Sequence, residues 1–87
     1  MNINENEFKT SDINLSIFLC TKNFRLLRIE NSSERKTFVF SDTPQLKHLV
    51  EVFFFGEDDN PEIMVDARKL FRASKELKNK LYSVEYQ

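Results

Sequence analysis

Residues 41–56 read SDTPQLKHLVEVFFFG, and how this stretch is read decides the fold. Thr43 can act as N-cap with Pro44 at the first helical position, or Asp42 as cap with Gln45 closing a capping box. Gly56 is the terminator. Leu46, Leu49, Val50, Phe53 and Phe54 recur at i, i+3, i+4, i+7 and i+8, the stripe of an amphipathic helix turned to a core. Phe55 projects near His48 and Glu51, away from that stripe. Either the chain doubles back and covers it, or it stands out as a contact.

Upstream, FRLLRIE (24–30) and RKTFVFS (35–41) are rich in Phe, Leu, Ile and Val and are separated by the turn-forming NSSER (31–35), which predicts a β-hairpin. Phe38 and Phe40 share one face of the second strand, the face that packs in a core. A strict alternation in the first strand sets Phe24 and Leu26 against Leu27 and Ile29. Both sheet faces are then partly apolar, with helices on one side and a neighbour over part of the other. Before the hairpin, SDINLSIFLCTKN predicts a helix from about Asp12, with Thr10 or Ser11 as cap and Asn23 as a left-handed stop. Ile13, Ile17 and Cys20 make one face, and Leu15, Phe18 and Leu19 widen it until little is polar. Such a helix needs cover on more than one side. Residues 1–9 are expected to form a flexible N-terminal arm ahead of a single compact domain over 10–87.

Downstream, EDDNPE is an acidic turn. Ile63, Met64 and Val65 favour a third short strand, with Asn60 and Pro61 as the rival start of a helix. Asp66 then caps ARKLFRASKELKNKLY, whose buried face is Ala67, Leu70, Phe71, Ser74, Leu77 and Leu81. The fold expected is α+β: an N-terminal helix, an antiparallel β-hairpin and two further amphipathic helices packed on the sheet.

The chain has 87 residues, nine of them Phe, one Gly and a formal net charge of −1. That bounds it to one small core carrying a large apolar load, part of which is left for an interface. The single cysteine, Cys20, excludes an internal disulfide and a cysteine-based metal cluster. A polar, acidic start and the absence of a long apolar window predict a soluble, cytoplasmic protein without membrane contact. No phosphate-binding glycine loop is available, because Gly56 stands alone. Cys20 and His48 have no sequence feature joining them, and Glu57, Asp58, Asp59 and Glu62 lack the calcium-loop spacing. No enzyme, cofactor or small-molecule substrate is expected.

Charge is unevenly spread. Between residues 66 and 82, Arg68, Lys69, Arg72, Lys75, Lys78 and Lys80 face only Asp66 and Glu76. Arg68, Arg72 and Lys75 lie opposite the apolar stripe, a row able to track phosphates or an acidic protein, with Arg25, Arg28, Arg35 and Lys36 on the hairpin as reinforcement. A solvated helix face accounts for the same row. RKTFVF shares the aromatic alternation of RNA-recognition strands, but the expected glycines are missing and a helix-first order departs from βαββαβ. Two functions follow as expectations. One is a non-catalytic module that binds nucleic acid or an acidic protein through Arg68, Arg72, Lys75, Arg25, Arg28 and Lys36. The other is a homodimer whose contact uses Phe55, Leu15 and Leu19.

The phrases FKTSDINLSIFLCTKNFRLLRIE (8–30), KTFVFSD (36–42) and VDARKLFRASKELKNKLY (65–82) together resemble a family of small proteins of bacteria, archaea and their phages, catalogued only as a domain of unknown function. The resemblance implies a single compact domain and an association with phage or mobile elements. It supplies no functional residue.

Overall fold

The computed structural model describes residues 6–32 and 35–85. Its elements run β1 (Glu7–Thr10), α1 (Ile13–Thr21), β2 (Leu26–Ser32), β3 (Arg35–Ser41), α2 (Pro44–Phe55), a 3-10 turn (Pro61–Ile63) and α3 (Ala67–Glu85). The α+β class holds, but the helix-first order does not. A strand precedes α1, formed from residues 7–10 and overlapping the expected arm; residues 1–5 of that arm lie outside the described residues. The hairpin is present, although positions 33 and 34 of its turn also fall outside them.

The sheet has the order β1-β3-β2, with both outer strands antiparallel to β3. β1 and β2 are therefore parallel to each other with β3 between them, and β1-α1-β2 is a split βαβ unit. The order therefore begins βαββ, which corrects the helix-first expectation, but no strand follows α2 among the described residues, so it still departs from βαββαβ. The inward face of β3 settles what that means: Phe38 and Phe40 are buried against the helices, opposite Thr10 and Phe8 on one side and Ile29 and Leu26 on the other.

Register also corrects the faces of β2. Leu26 and Arg28 align with the consecutive residues Phe40 and Val39, so Leu27 is the extra residue of a bulge. That insertion turns Leu26 and Ile29 to the same, inner face and leaves Leu27 exposed. Residues 63–65 form no strand. Asn60 instead caps the 3-10 turn, its Oδ1 accepting from the Glu62 amide at 2.8 Å. Met64 keeps an extended backbone, but its carbonyl accepts from Lys22 Nζ at 3.0 Å.

The helix boundaries follow from local chemistry. Asp12 caps α1, with Oδ1 accepting from the Leu15 amide at 3.0 Å, while the expected cap Thr10 ends β1 and accepts from the Asp12 amide. Asn23 closes α1 at φ 75°, and the Phe24 amide donates back to the Leu19 carbonyl at 3.0 Å. Thr43 Oγ1 caps α2 through the Leu46 amide at 3.1 Å. α2 ends where the backbone turns extended at Gly56 (φ −72°, ψ 161°), whose amide donates to the Val52 carbonyl at 2.9 Å; a Cβ there would lie 2.7 Å from that oxygen, which favours glycine. Asp66 Oδ1 caps α3, accepting from the Arg68 and Lys69 amides at 2.8 and 3.1 Å.

Packing centres on α1, where residues 15–19 and Thr21 are all buried. It touches β1, α2 and α3, and its polar side chains are satisfied internally: Ser16 Oγ donates to the Asp12 carbonyl and Thr21 Oγ1 to that of Ile17. Leu15 and Leu19 are therefore core residues and cannot form an exposed interface. On α2, Leu46 is fully buried and Phe53 partly so, whereas Phe54 is 49% exposed and leaves the expected stripe. On α3, Leu77 is buried with Leu70 and Leu81 packed beside it, but Ala67 is exposed and Phe71 is 70% exposed.

The outer sheet face is built differently. Val39 is fully buried there, flanked in register by Lys9 and Arg28. Arg28 forks onto Glu7 at 2.8 and 2.9 Å and also bonds Glu30, and Lys9 reaches Glu30 at 3.3 Å. Both β1–β2 pairs cross over β3, so charged side chains cover Val39 with their aliphatic stems. Arg28 holds the Glu7 and Glu30 carboxyls below their ordinary value, chiefly through these hydrogen bonds.

Two outcomes are expected. Phe40→Ala removes a fully buried ring and should cost about 3–5 kcal/mol in denaturant unfolding. The lowered carboxyls stabilise the fold fully above the ordinary carboxylate value of 4.5 and progressively less as pH falls through their folded values. Thermal midpoints recorded between about pH 2 and 7 should therefore show an acid-side loss that is shallower in Arg28→Ala than in the native chain.

Candidate functional site

The helices α2 and α3 both pack on α1. Between them lies an apolar groove of about 380 Å³ with Asn14, Ile17 and Phe18 of α1 as its floor. One wall is Phe53 at the end of α2 with Ile63 and Val65 of the following connection; the other is Leu70, Phe71 and Ser74 of α3.

The aromatic side chains lead from this floor to solvent. Phe18 and Phe53 have ring centroids 5.1 Å apart, Phe53 and Phe54 5.1 Å edge-on, and Phe54 and Phe55 6.3 Å. Burial falls along the series, from Phe18 in the core to Phe55 at 83% exposure. Of the two outcomes open for Phe55, the chain does not fold back over it. Phe71, 70% exposed, lines the opposite wall of the groove. A solvated ring is unremarkable singly, but several around one groove form a patch of the kind that contacts use.

The lining of the groove itself holds no charged residue. The connection after Phe53 holds Glu57, Asp58, Asp59 and Glu62, all exposed. Glu62 is engaged by His48, whose Nε2 lies 2.9 and 3.0 Å from its two oxygens. On α3, Arg68 and Lys75 stand three and four residues from Phe71 and so flank it on the helix surface. Arg68, Arg72 and Lys75 are exposed and have no ion-pair partner among the described residues.

The other expected cations do not join them. Arg28 is taken up by Glu7 and Glu30 across the sheet, so it is not free for a phosphate. Arg25 lines a separate cleft on the opposite flank of α3 with Cys20, Glu76 and Lys80. Lys36 belongs to β3, near Asn31. The sequence reading placed Phe71 in the buried face because its position fits the apolar stripe; the adjacent pair Leu70 and Phe71 was the available signal of its exposure, since the two point about 100° apart on a helix.

Catalytic groups remain scattered. Cys20 shares its cleft with Arg25, Glu76 and Lys80, whereas His48 lines another with Pro44, Leu49 and Glu62. Burial pushes the Cys20 thiol up, away from the reactive thiolate. Among the described residues no three His, Cys, Asp or Glu side chains gather as metal ligands, and no helix is long and apolar enough to cross a membrane. Cys20 should alkylate with iodoacetamide more slowly than glutathione at neutral pH, with its half-maximal rate at a higher pH; rates followed by mass spectrometry across pH check this.

A family model described as Domain of unknown function (DUF5659) matches residues 5–83. Neither the curated proteins nor the solved structures contain a match.

Proposed function

The chain belongs to this family of unknown function, and we propose that it is a non-catalytic binding module whose contact surface is the groove between α2 and α3. The observation that carries this reading is Phe71, a large apolar ring placed 70% in solvent at the mouth of an apolar groove. Exposing it forgoes hydrophobic stabilisation, and in a small domain that loss is recovered when a partner covers the ring. Phe54 and Phe55 extend the same apolar surface. Protein is the partner class favoured, because aromatic anchors beside a groove with a charged rim have the anatomy of a protein interface.

Nucleic acid is the second reading, favoured by the exposed row Arg68, Arg72 and Lys75, which has no ion-pair partner among the described residues. Two features weigh against it. Arg28 is already neutralised, and the outer sheet face, where RNA-recognition domains display stacking rings, carries Val39 beneath ion pairs.

A photoreactive phenylalanine analogue at position 71, and in a separate variant at position 55, tests the reading in cells producing the full chain. Irradiation should give protein adducts from 71 and 55 and none from a control at exposed Lys47. Adducts at 71 that disappear on nuclease treatment would transfer the function to nucleic acid. A chain that stays free at 71 would remove the groove as a contact surface.

A further inference from the structure

Successive residues of α3 turn by about 100°, which fixes what stands beside the groove. Leu70 and Leu77 turn to the core, and Phe71 and Ser74 line the groove wall. Lys78, four residues after Ser74 and seven after Phe71, lies in line with both, and Arg68 and Lys75 border Phe71 on its solvent side. Tyr82 continues the line of Phe71 about three turns further on and is 56% exposed. Arg68, Lys75 and Lys78 are exposed and have no ion-pair partner among the described residues. The acid of this helix segment, Glu76, falls on the opposite flank, in the cleft with Cys20. On the facing wall the carboxylates adjoining Ile63 and Val65 are already engaged, Glu62 by His48 and Asp66 by the Arg68 and Lys69 amides. An apolar groove therefore runs beside a rim of one sign.

We infer that the groove takes an acidic amphipathic helix of a partner protein, its apolar residues inward and its carboxylates along α3. This deepens the proposed function and rests on it. The lining sets the inward face: among the described residues that form it, only Asn14 and Ser74 have polar side chains. Base edges of a nucleotide would lose water there without gaining enough hydrogen-bond partners, whereas a helix with apolar residues at i, i+3 or i+4, and i+7 supplies a ridge that needs none. The rim sets the charge. Carboxylates beside that ridge meet Arg68, Lys75 and Lys78, and a basic helix brings like charge together. From Arg68 to Lys78 is about 15 Å along α3, so about ten helical residues of an aligned partner span all three cations.

A random library of peptides of about 16 residues, long enough to cover that span as a helix, tests the sign and the place together. Displayed on phage, it is selected on the immobilised full chain after subtraction on the Phe71→Asp chain. Enriched peptides should be acidic, with apolar residues at helical spacing. Synthesised and followed by fluorescence anisotropy, they should bind the Phe71→Asp chain at least about tenfold more weakly than the native chain. A triple variant, Arg68→Glu with Lys75→Glu and Lys78→Glu, should lose at least about tenfold as well, and a peptide whose Asp and Glu are replaced by Lys should bind that variant to within about threefold of the native pair. All four positions are exposed, and circular dichroism checks that each variant folds.

Enriched peptides that are neutral or basic overturn the inference. So does acidic-peptide binding that ignores the triple reversal, or a selection that enriches nothing over the subtraction. The cross-link at position 71 separates this failure from that of the broader reading, because fragmentation of the adduct identifies the linked segment. An acidic helical segment supports the inference. A neutral or basic segment, or one from a second copy of this chain, keeps the groove as a contact surface and removes the acidic helix, whereas no protein adduct removes both.

Discussion

Leu15, Ile17, Phe18 and Leu19 leave α1 in directions that no single neighbour can cover, so this helix has to be enclosed. Phe38 and Phe40 of the central strand, with Leu46 of α2 and Leu77 of α3, belong to the same core cluster. Hydrophobic burial of one nine-residue helix thus fixes where everything else stands. The groove is a consequence. Two helices pack on α1, and the groove between them keeps α1 as its floor. The surface proposed for binding and the interior that stabilises the fold are two sides of the same side chains, notably Phe18 and Phe53.

The sheet meets its second face in the opposite way. Where an apolar residue could have called for a partner, Val39 is covered by Lys9, Arg28, Glu7 and Glu30, which reach across the central strand and tie its two neighbours together. Exposed ion pairs are individually weak, but a bidentate arginine within a network is the favourable case. The arrangement consumes Arg28 and leaves a polar outer surface. The exposed rings Phe54, Phe55 and Phe71 lie instead on the helices, as do Arg68, Arg72 and Lys75, which have no ion-pair partner among the described residues.

Much of this was legible in the chain. The capping of α2 by Thr43 and of α3 by Asp66, the left-handed Asn23 and the stop at Gly56 depend on atoms within a few residues of one another, and sequence spacing reports such contacts directly. The inward pair Phe38 and Phe40 followed from alternation alone. β1 was missed because four residues with one inward ring make too short a pattern to distinguish from a loose segment. The faces of β2 were misread because a bulge at Leu27 interrupts the alternation, and nothing in the residue types announces it.

What the sequence by itself determined is therefore the local order: an α+β chain with a helix needing cover on more than one side, a hairpin, two capped helices and a concentration of positive charge near residues 66–82. What only the tertiary structure decided is which side of each broad apolar surface is covered. Phe54 and Phe71 carry the same periodicity as Phe53 and Leu70, and position on a helix cannot say where a neighbouring helix stops. Likewise Arg28 and Arg68 are equivalent as letters, but one has carboxylates delivered to it by neighbouring strands and the other has none among the described residues. Burial and pairing are set by non-local neighbours, and these exist only once the chain has closed around α1.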